Sequence, residues 1–203
     1  MSSNLELARR LLALSQTGLH FTLQEYDRER YREIAAIGAQ LLANESTHSP
    51  EALRDTWFVE DGYATPKMDV RGAIYRDDTV LLVRETIDGK WTLPGGWADV
   101  NDTPSYAVEK EIEQESGYTA KAVKLAALYD RNKHHPPYLF HSWKAIFICD
   151  ITGGAPRFSN ETDGVEFFKL DELPELSTGR STAEQIRRMY VHHLQRELPT
   201  EFD

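Results

Sequence analysis

Apolar residues at helical spacing dominate the first part of the chain. One amphipathic helix is predicted from Leu5 to about Leu14, and Gly18 is expected to end it. A second is predicted from about Asp27 to Asn44, with Asp27 as its N-cap. Its predicted apolar side consists of Tyr31, Ile34, Ile37, Gly38, Leu41 and Leu42.

A third, shorter helix is predicted to start at Ser49–Pro50 and to carry Trp57 and Phe58. Two or three helices of this size cannot bury much surface alone, so they must pack on the rest of the chain or on a partner subunit. We therefore interpret residues 1–62 as a structural or dimerising extension, in preference to a separate binding module.

Strand patterns follow a linker at residues 62–66. Runs rich in β-branched, aliphatic and aromatic residues predict strands at 69–75, 79–85, 91–93, 120–129, 141–151 and 165–169. Turns are predicted at Asp77–Asp78 and at Asp88–Gly89, the latter a strong hairpin signal.

Two helices are predicted in this part of the chain. One precedes Gly117, and the other is predicted from Ser181 to Glu197. Helices, strands, one helix, more strands and a last helix suit a mixed sheet covered by helices on both faces. We predict an α/β domain over residues 67–203.

Composition limits the range of functions. Hydrophobic residues make up 40% of the 203 residues, enough for a folded core, and the net charge of −10 argues against a broad duplex-binding surface. No apolar run approaches membrane-spanning length, and we see no secretory hydrophobic region at the N-terminus. The single cysteine, Cys149, lies in an apolar run and suits a reducing compartment such as the cytoplasm.

The most informative segment runs from Leu93 to Tyr118. It begins with a turn at Pro94–Gly96, continues through an Asp- and Asn-rich loop, and ends with a helix for which Thr103 is a good N-cap. Spacing places three side chains on one helix face: Glu111, Gln114 and Glu115. Such a face is often only a solvated surface, but the flanking glycine turns favour a site for a hard divalent cation.

This segment resembles the Nudix box: glycine, five residues, glutamate, seven residues, arginine–glutamate, an aliphatic, any residue, two glutamates, any residue, glycine and an aliphatic. The matching residues are Gly96, Glu111, Ile112, Glu115 and Gly117. Three departures keep charge or bulk: Asp102 for Glu, Lys110 for Arg and Tyr118 for an aliphatic. The fourth, Gln114 for a metal-binding Glu, does not.

The resemblance extends over most of the chain. The segments 66–75, 88–100, 128–147, 171–182 and 198–203 look like a bacterial Nudix subgroup with an N-terminal helical extension. That subgroup includes CDP-choline pyrophosphatases and proteins labelled ADP-ribose pyrophosphatases. It implies a Nudix-type α/β/α sandwich and a homodimer.

The resemblance also implies Mg²⁺- or Mn²⁺-dependent hydrolysis of a nucleoside diphosphate linked to another moiety, most simply a compound like CDP-choline, with ADP-ribose as the alternative. Glu111 and Glu115 would bind the metal with the backbone carbonyl of Gly95 or Gly96, and Gln114 occupies a third ligand position. A distal carboxylate would be a ligand or general base. Glu161 is the first candidate for it and Glu166 the second, although either could be a solvated loop acid.

Several side chains are candidates for substrate binding. Cations for the phosphates are sought in Arg71, Arg84 and Lys133, with Arg71 preferred because a guanidinium can bind phosphate oxygens in a bidentate manner. Trp97 could stack on a base, and His135 lies in a candidate substrate loop. A zinc site built on the neighbouring histidines is disfavoured because no cysteine or acid lies at finger spacing.

Gln114 leaves three explanations open. The chain is a natural enzyme with weakened metal binding that recruits another acid, an engineered Glu→Gln variant, or a nucleotide sensor without turnover. Trimming of RNA 3′ ends is permitted by the resemblance but is less attractive for a chain of net charge −10.

Overall fold

The computed structural model describes residues 3–44, 48–57, 62–136 and 138–203. The chain divides into two compact units: residues 1–66 with 137–141, and residues 67–136 with 142–203. Phe58, placed by the sequence in the third helix, and Pro137 lie outside the described residues.

In the first unit, α1 spans Asn4–Phe21 and starts with a capping box between Ser3 and Glu6. Gly18 does not end this helix, so that prediction was wrong: the helix runs three residues further, and the Thr22 N–H bonds to the Gly18 carbonyl at 2.9 Å. The glycine serves helix packing, because a Cβ at Gly18 would lie 2.3 Å from the ring of Tyr31.

Helix α2 spans Glu25–Ala43, two residues earlier than predicted. Asp27 is not the N-cap. It lies within the first turn and pairs with Arg30 at 2.7 Å. The buried side is also rotated from the predicted one: its members are Ala35, Gly38, Ala39 and Leu42, whereas Ile37 is half exposed. Small residues on that side allow α1 and α2 to approach closely.

Helix α3 spans Pro50–Trp57, which confirms the predicted start, and the Ser49 hydroxyl accepts a hydrogen bond from the Ala52 N–H. The three helices share one apolar core, made of Ala8, Leu12, Ala35, Ala39, Leu42 and Leu53.

The second unit carries the strands. Its elements are β1 Lys67–Ala73, β2 Tyr75–Arg76, β3 Thr79–Glu85, β4 Trp91–Thr92, α4 Pro104–Ser116, β5 Tyr118–Asp130, α5 Arg131–His134, β6 Ser142–Gly154, β7 Thr162–Lys169, α6 Ala183–Leu194 and β8 Glu201–Phe202. The predicted strands are all present: β3 has the predicted bounds, and the others have shifted ends. The short elements β2, α5 and β8 were not expected as separate elements.

These strands form two sheets. The first has the order β1-β6-β5-β8, with β1 parallel to β6, β5 antiparallel to β6, and β8 parallel to β5. The second is antiparallel, with β2, β4 and β7 all pairing with β3. The mixed sheet of the prediction is therefore confirmed.

Two apolar clusters place α4 and α6 on different sides of the strands. Ile186 and Met189 of α6 belong to one cluster, and Val108 and Ile112 of α4 belong to the other. Gly72 of β1 lets α4 approach, because a Cβ there would lie 2.6 Å from Ile112 Cδ1. The α/β fold with helices on both faces is as predicted.

Candidate active site

The turn at Pro94–Gly96 is fixed against β1. The Gly72 N–H donates to the Pro94 carbonyl and the Val70 N–H to the Gly96 carbonyl, both at 2.8 Å. Gly95 has φ +141°, and a Cβ there would lie 2.0 Å from the Val70 oxygen. Only glycine fits this position. Within the described residues no donor reaches the Gly95 carbonyl, whereas that of Gly96 is occupied.

Two carboxylates of α4 meet this turn. Glu115 is buried, and its Oε2 accepts a hydrogen bond from the Gly95 N–H at 2.7 Å. The Glu111 carboxylate would lie 3.2 Å from a Cβ at Gly96, so this glycine leaves the space that Glu111 borders. Gln114 is on the same helix but exposed. The predicted caps of α4 are confirmed: Thr103 accepts from the Tyr106 N–H, and Gly117 has φ +77°.

Burial raises the pKa of Glu115 to about 8; nearby Arg71 opposes this shift, and Glu111 and Glu85 reinforce it. The pKa of Glu111 is also raised, first by burial and then by Glu161, against the effect of Arg71. These are acids crowded together in a desolvated place, where a cation would favour the ionised forms.

Arg71 is enclosed by the fold. Its Nε donates to Asp69 Oδ1 at 2.9 Å and its Nη1 to the Leu93 carbonyl at 3.2 Å, and the residue is 6% exposed. Lys144, with no exposed surface, pairs with the other Asp69 oxygen at 2.9 Å. Burial alone would raise the pKa of Asp69, but these two cations outweigh it and hold the pKa below its usual value. Arg71 therefore stabilises the backbone that leads into the turn.

Glu85 at the end of β3 was missed by the sequence reasoning. It is buried, its pKa is raised by burial, and its carboxylate pairs with Arg180 at 3.1 Å. The missed signal was alternation along the strand. Along β3, Glu85 lies on the same face as Leu81, which belongs to the cluster that includes α4. Arg84 lies on the opposite face with Val80 and Leu82, which belong to the other cluster.

The two acids suggested as the distal carboxylate occupy different places. Glu161 is exposed at the start of β7, where its carbonyl accepts from the Thr86 N–H at 2.9 Å, and it raises the pKa of both Glu111 and Glu85. Glu166 is exposed and pairs in register with Leu82. Of the two, Glu161 is thus the acid that acts electrostatically on Glu111.

Of the remaining candidates, Trp97 directly follows the turn, whereas Arg84, Lys133 and His135 make their contacts elsewhere. Arg84 pairs with Asp163 at 2.7 Å and lies over Trp91. Lys133 is exposed on α5 and lowers the pKa of Asp203. His135 is buried, with Nδ1 bonded to the Thr178 carbonyl at 2.7 Å and Nε2 to the Gln185 amide at 3.0 Å. Trp97 is 44% exposed and forms an isolated bridge with Asp69.

The two charged departures within the box, Asp102 and Lys110, complement each other. Lys110 Nζ pairs with Asp102 at 2.6 Å and with Asp99 at 2.7 Å. A shorter acid and a more flexible cation thus still meet, and they tie the loop before α4 to the helix.

The donor set suits a hard divalent cation that also binds substrate. Among the described residues, no group of three or more His, Cys, Asp or Glu side chains already stands close enough to hold an ion. Instead, two carboxylates lie against the turn, and the turn itself supplies one backbone carbonyl. Mg²⁺ is commonly bound in this way, with water and substrate phosphates completing the shell.

Two known domains match the sequence. Residues 2–57 match a UDP-X-like N-terminal oligomerisation domain, and residues 65–190 match a NUDIX domain. YjhB of Bacillus subtilis (strain 168), provisionally named an ADP-ribose pyrophosphatase, is 42% identical over 187 residues, which are 92% of this chain and 90% of that protein. No helix in the described ranges is long and apolar enough to cross a bilayer.

Solved structures give the same picture. The crystal structure of a UDP-X diphosphatase has a TM-score of 0.65 at 34% identity and covers 97% of this chain and 96% of that one. An ADP-ribose pyrophosphatase from Streptococcus suis 89-1591 has a TM-score of 0.64 at 38% identity, covering 68% of this chain and all of that one.

Proposed function

The chain belongs to the Nudix family and is a pyrophosphohydrolase, and we propose that it cleaves the pyrophosphate of a nucleoside diphosphate linked to another moiety, at the turn Gly95–Gly96. The observation that carries the proposal is the meeting of Glu111 and Glu115 with this turn, with Glu115 held by the Gly95 N–H at 2.7 Å. Such a pair of fixed acids could hold a divalent cation, which would supply positive charge for the phosphates.

Nudix hydrolases use divalent metals, and here Glu111, Glu115 and the Gly95 carbonyl would hold Mg²⁺ or Mn²⁺, with Gln114 as a weaker neutral ligand. The bound ion would neutralise phosphate charge and lower the pKa of a coordinated water. Arg71 keeps the turn in place through the Leu93 carbonyl. Glu161, exposed beside these acids, is our candidate to accept the proton of the attacking water.

The substrate proposal has two sources of support. The motifs of the helical-extension subgroup favour CDP-choline, which would give CMP and a phospho-alcohol. The names of the similar proteins favour ADP-ribose or a UDP-linked compound. We therefore propose the shared class, with the base and the leaving group as the open variable.

Two further parts of the proposal concern the whole chain. We propose that residues 1–62 mediate self-association and that residues 67–203 carry the chemistry. The only cysteine, Cys149, is free and buried, which supports a reducing compartment such as the cytoplasm.

A substrate panel tests the function. CDP-choline, ADP-ribose, UDP-glucose and NADH are incubated with Mg²⁺ or Mn²⁺, and phosphate is measured after a coupled phosphatase. We expect hydrolysis of at least one of the nucleoside diphosphate derivatives, and none after addition of a chelator. Binding without turnover, both in this chain and in Gln114→Glu, would instead identify a nucleotide sensor. Gln114 is the observation that keeps that second candidate open.

A further inference from the structure

The segment Ser177–Ser181 before α6 is held by three buried basic side chains on three consecutive carbonyls. His135 donates to Thr178 at 2.7 Å, Arg131 donates to Gly179 at 3.0 Å, and Lys144 donates to Arg180. His135 and Arg131 are each 7% exposed and Lys144 is fully buried. Buried donors on successive carbonyls fix a backbone firmly, because losing any of them would leave a desolvated polar group.

Both ends of this segment are joined to the strand that leads into the turn Gly95–Gly96. The Ser177 N–H donates to the Trp91 carbonyl at 2.8 Å, and the Leu93 N–H donates to the Ser181 hydroxyl at 3.2 Å. The backbone of Arg180 is therefore positioned relative to the proposed metal site by a continuous set of hydrogen bonds.

The side chain of Arg180 differs from those of the enclosed cations. It is 32% exposed, whereas the side chain of Arg71 is 7% exposed and that of Lys144 is fully buried. Its Nε pairs with Glu85 at 3.1 Å, and its Nη1 reaches the Ser177 hydroxyl at 3.0 Å and Asp88 at 3.4 Å. Within the described residues, Nη2 makes no hydrogen bond, so two guanidinium donors remain for a ligand.

We infer that Arg180 is a substrate-binding residue that donates to a non-bridging phosphate oxygen of the diphosphate, a role for which the sequence had suggested Arg71. The inference rests on the proposed function. Glu85 connects Arg180 to the acid cluster, because this buried carboxylate also acts electrostatically on Glu115. The planar fork of this guanidinium suits the oxygens of a diphosphate bound at that cluster.

The test compares Arg180→Gln with Arg196→Gln. Arg196 is a matched control because its side chain is 43% exposed and also paired with an acid, Asp150. For Arg180→Gln we expect KM to rise roughly 10- to 100-fold, the range for losing a hydrogen bond to a charged group, with kcat within about threefold of the starting protein. Arg196→Gln should leave both constants within about twofold. Equal effects of the two variants, or a fall in kcat alone, would overturn the inference.

A third variant guards against a purely structural effect, since Arg180→Gln leaves Glu85 without its cation. Arg180→Lys keeps that ion pair but loses the fork, so KM should rise by less than in Arg180→Gln and by at least about threefold. If Arg180→Gln fails to fold in thermal melting, Arg180→Lys decides alone. An unchanged KM in Arg180→Lys would then overturn the inference.

A binding measurement separates this inference from the substrate proposal. Methylenediphosphonate, a diphosphate that cannot be hydrolysed at the bridge, is titrated with Mg²⁺ into the unmodified chain and into both glutamine variants. At least about tenfold weaker binding by Arg180→Gln alone supports the inference even if no nucleotide of the panel is turned over. Equal binding by all three proteins, or no binding to the unmodified chain, overturns it.

Discussion

Glu115 joins two tasks in one side chain. Its Oε2 accepts the Gly95 N–H and so fixes the turn, while within the described residues no donor reaches Oε1, which leaves that oxygen for a cation. Gly95 itself tolerates no side chain, because a Cβ would overlap the Val70 carbonyl. Gly95 and Glu115 are twenty residues apart in the sequence, and the geometry of the turn depends on both.

The first prediction concerns the charge of Glu115. Glu115→Gln keeps an oxygen acceptor for Gly95, so the melting temperature without metal should stay close to that of the unmodified chain. Removing a partner of a metal ligand costs about 10- to 100-fold, so removing the ligand itself should lower kcat by at least about 100-fold. Added Mn²⁺ should raise the melting temperature of the unmodified chain but not that of the variant. Retained activity and retained metal stabilisation would exclude Glu115 as a ligand.

The second prediction concerns the missing carboxylate. Gln114 is exposed, so a charge there acts through a solvated environment. A single charge pair at 4 Å in water is worth about 1 kcal/mol. Gln114→Glu should therefore bind a divalent ion about five- to thirtyfold more tightly, seen as a lower metal concentration at half-maximal activity.

The neighbour Glu113 is also exposed and provides the control. Glu113→Gln should leave the metal dependence unchanged. If Glu113→Gln weakens metal binding as strongly as Gln114→Glu improves it, Glu113 is the acid recruited in place of the missing one. If neither variant changes the metal dependence, position 114 lies outside the metal shell.

At the scale of elements, the end of α4 gives a third prediction. Gly117 has φ +77°, and a Cβ there would also lie 2.5 Å from the Ala155 carbonyl oxygen. Gly89 has φ +69° but open space around it. Gly89→Ala should cost about 1–2 kcal/mol of unfolding free energy from backbone strain alone. Gly117→Ala should cost at least about 1 kcal/mol more, measured by urea unfolding. Equal losses of unfolding free energy in the two variants would show that the backbone near Gly117 can move away from the added Cβ at no energetic cost.

The sequence predicted elements better where the signal was local. Thr103 and Gly117 directly flank the helix, and α4 begins after the one and ends before the other, as predicted. Gly18 misled because its neighbour Tyr31 belongs to another helix, and packing between helices leaves no mark on the local pattern. Residues 201–202 form β8 only because β5 offers a free edge, which again depends on distant pairing.

The candidate site divides in the same way. Glu111, Gln114 and Glu115 follow from helical spacing within one element. Glu85 and Arg180 are 95 positions apart in the chain and meet only after β3 and the segment before α6 have been placed. The contacts that enclose Arg71 likewise come from Asp69 and Leu93 together, which are distant from each other in the sequence.

The fourth prediction concerns Glu201, the acid that connects strand β8 to neighbouring elements. Glu201 accepts from Tyr129 at 2.6 Å and from His192 at 3.0 Å and pairs with Arg188. Partial burial opposes ionisation of Glu201, but these three partners outweigh it and lower its pKa to about 2. Because the folded pKa lies below the unfolded one, the stabilisation is complete above about pH 5 and disappears as the pH falls towards 2.

Glu201→Gln should therefore lower the free energy of unfolding by about 2–3 kcal/mol at pH 7. The difference in unfolding free energy between Glu201→Gln and the unmodified chain should shrink as the pH falls from 5 to 3. Urea titrations of both proteins at several pH values measure it. A difference that stays constant over this range would mean that Glu201 acts through packing and not through its charge.

At the scale of the whole molecule, α1 has an apolar side that stays about half exposed among the described residues. Leu7, Leu14 and Phe21 recur at seven-residue intervals and are 49%, 45% and 65% exposed. The core side of the same helix is formed by Ala8 and Leu12, roughly opposite. Leu14 and Phe21 also border an open groove of about 420 Å³ with Gly18 and Tyr31. A seven-residue apolar repeat is typical of helices that pair with other helices.

The fifth prediction assigns this stripe to a second copy of the chain, since residues 2–57 match an oligomerisation domain. The triple change Leu7→Ser, Leu14→Ser and Phe21→Ser should convert the oligomer to monomers in sedimentation velocity, while circular dichroism stays unchanged because the core residues are kept. The control changes exposed apolar residues of the other unit, Ile87→Ser and Leu194→Ser, which are 79% and 63% exposed. The control should sediment as the unmodified chain does. If the triple variant keeps its oligomeric state, self-association uses another surface, and α2, where Tyr26 and Ile37 are exposed, becomes the next to change.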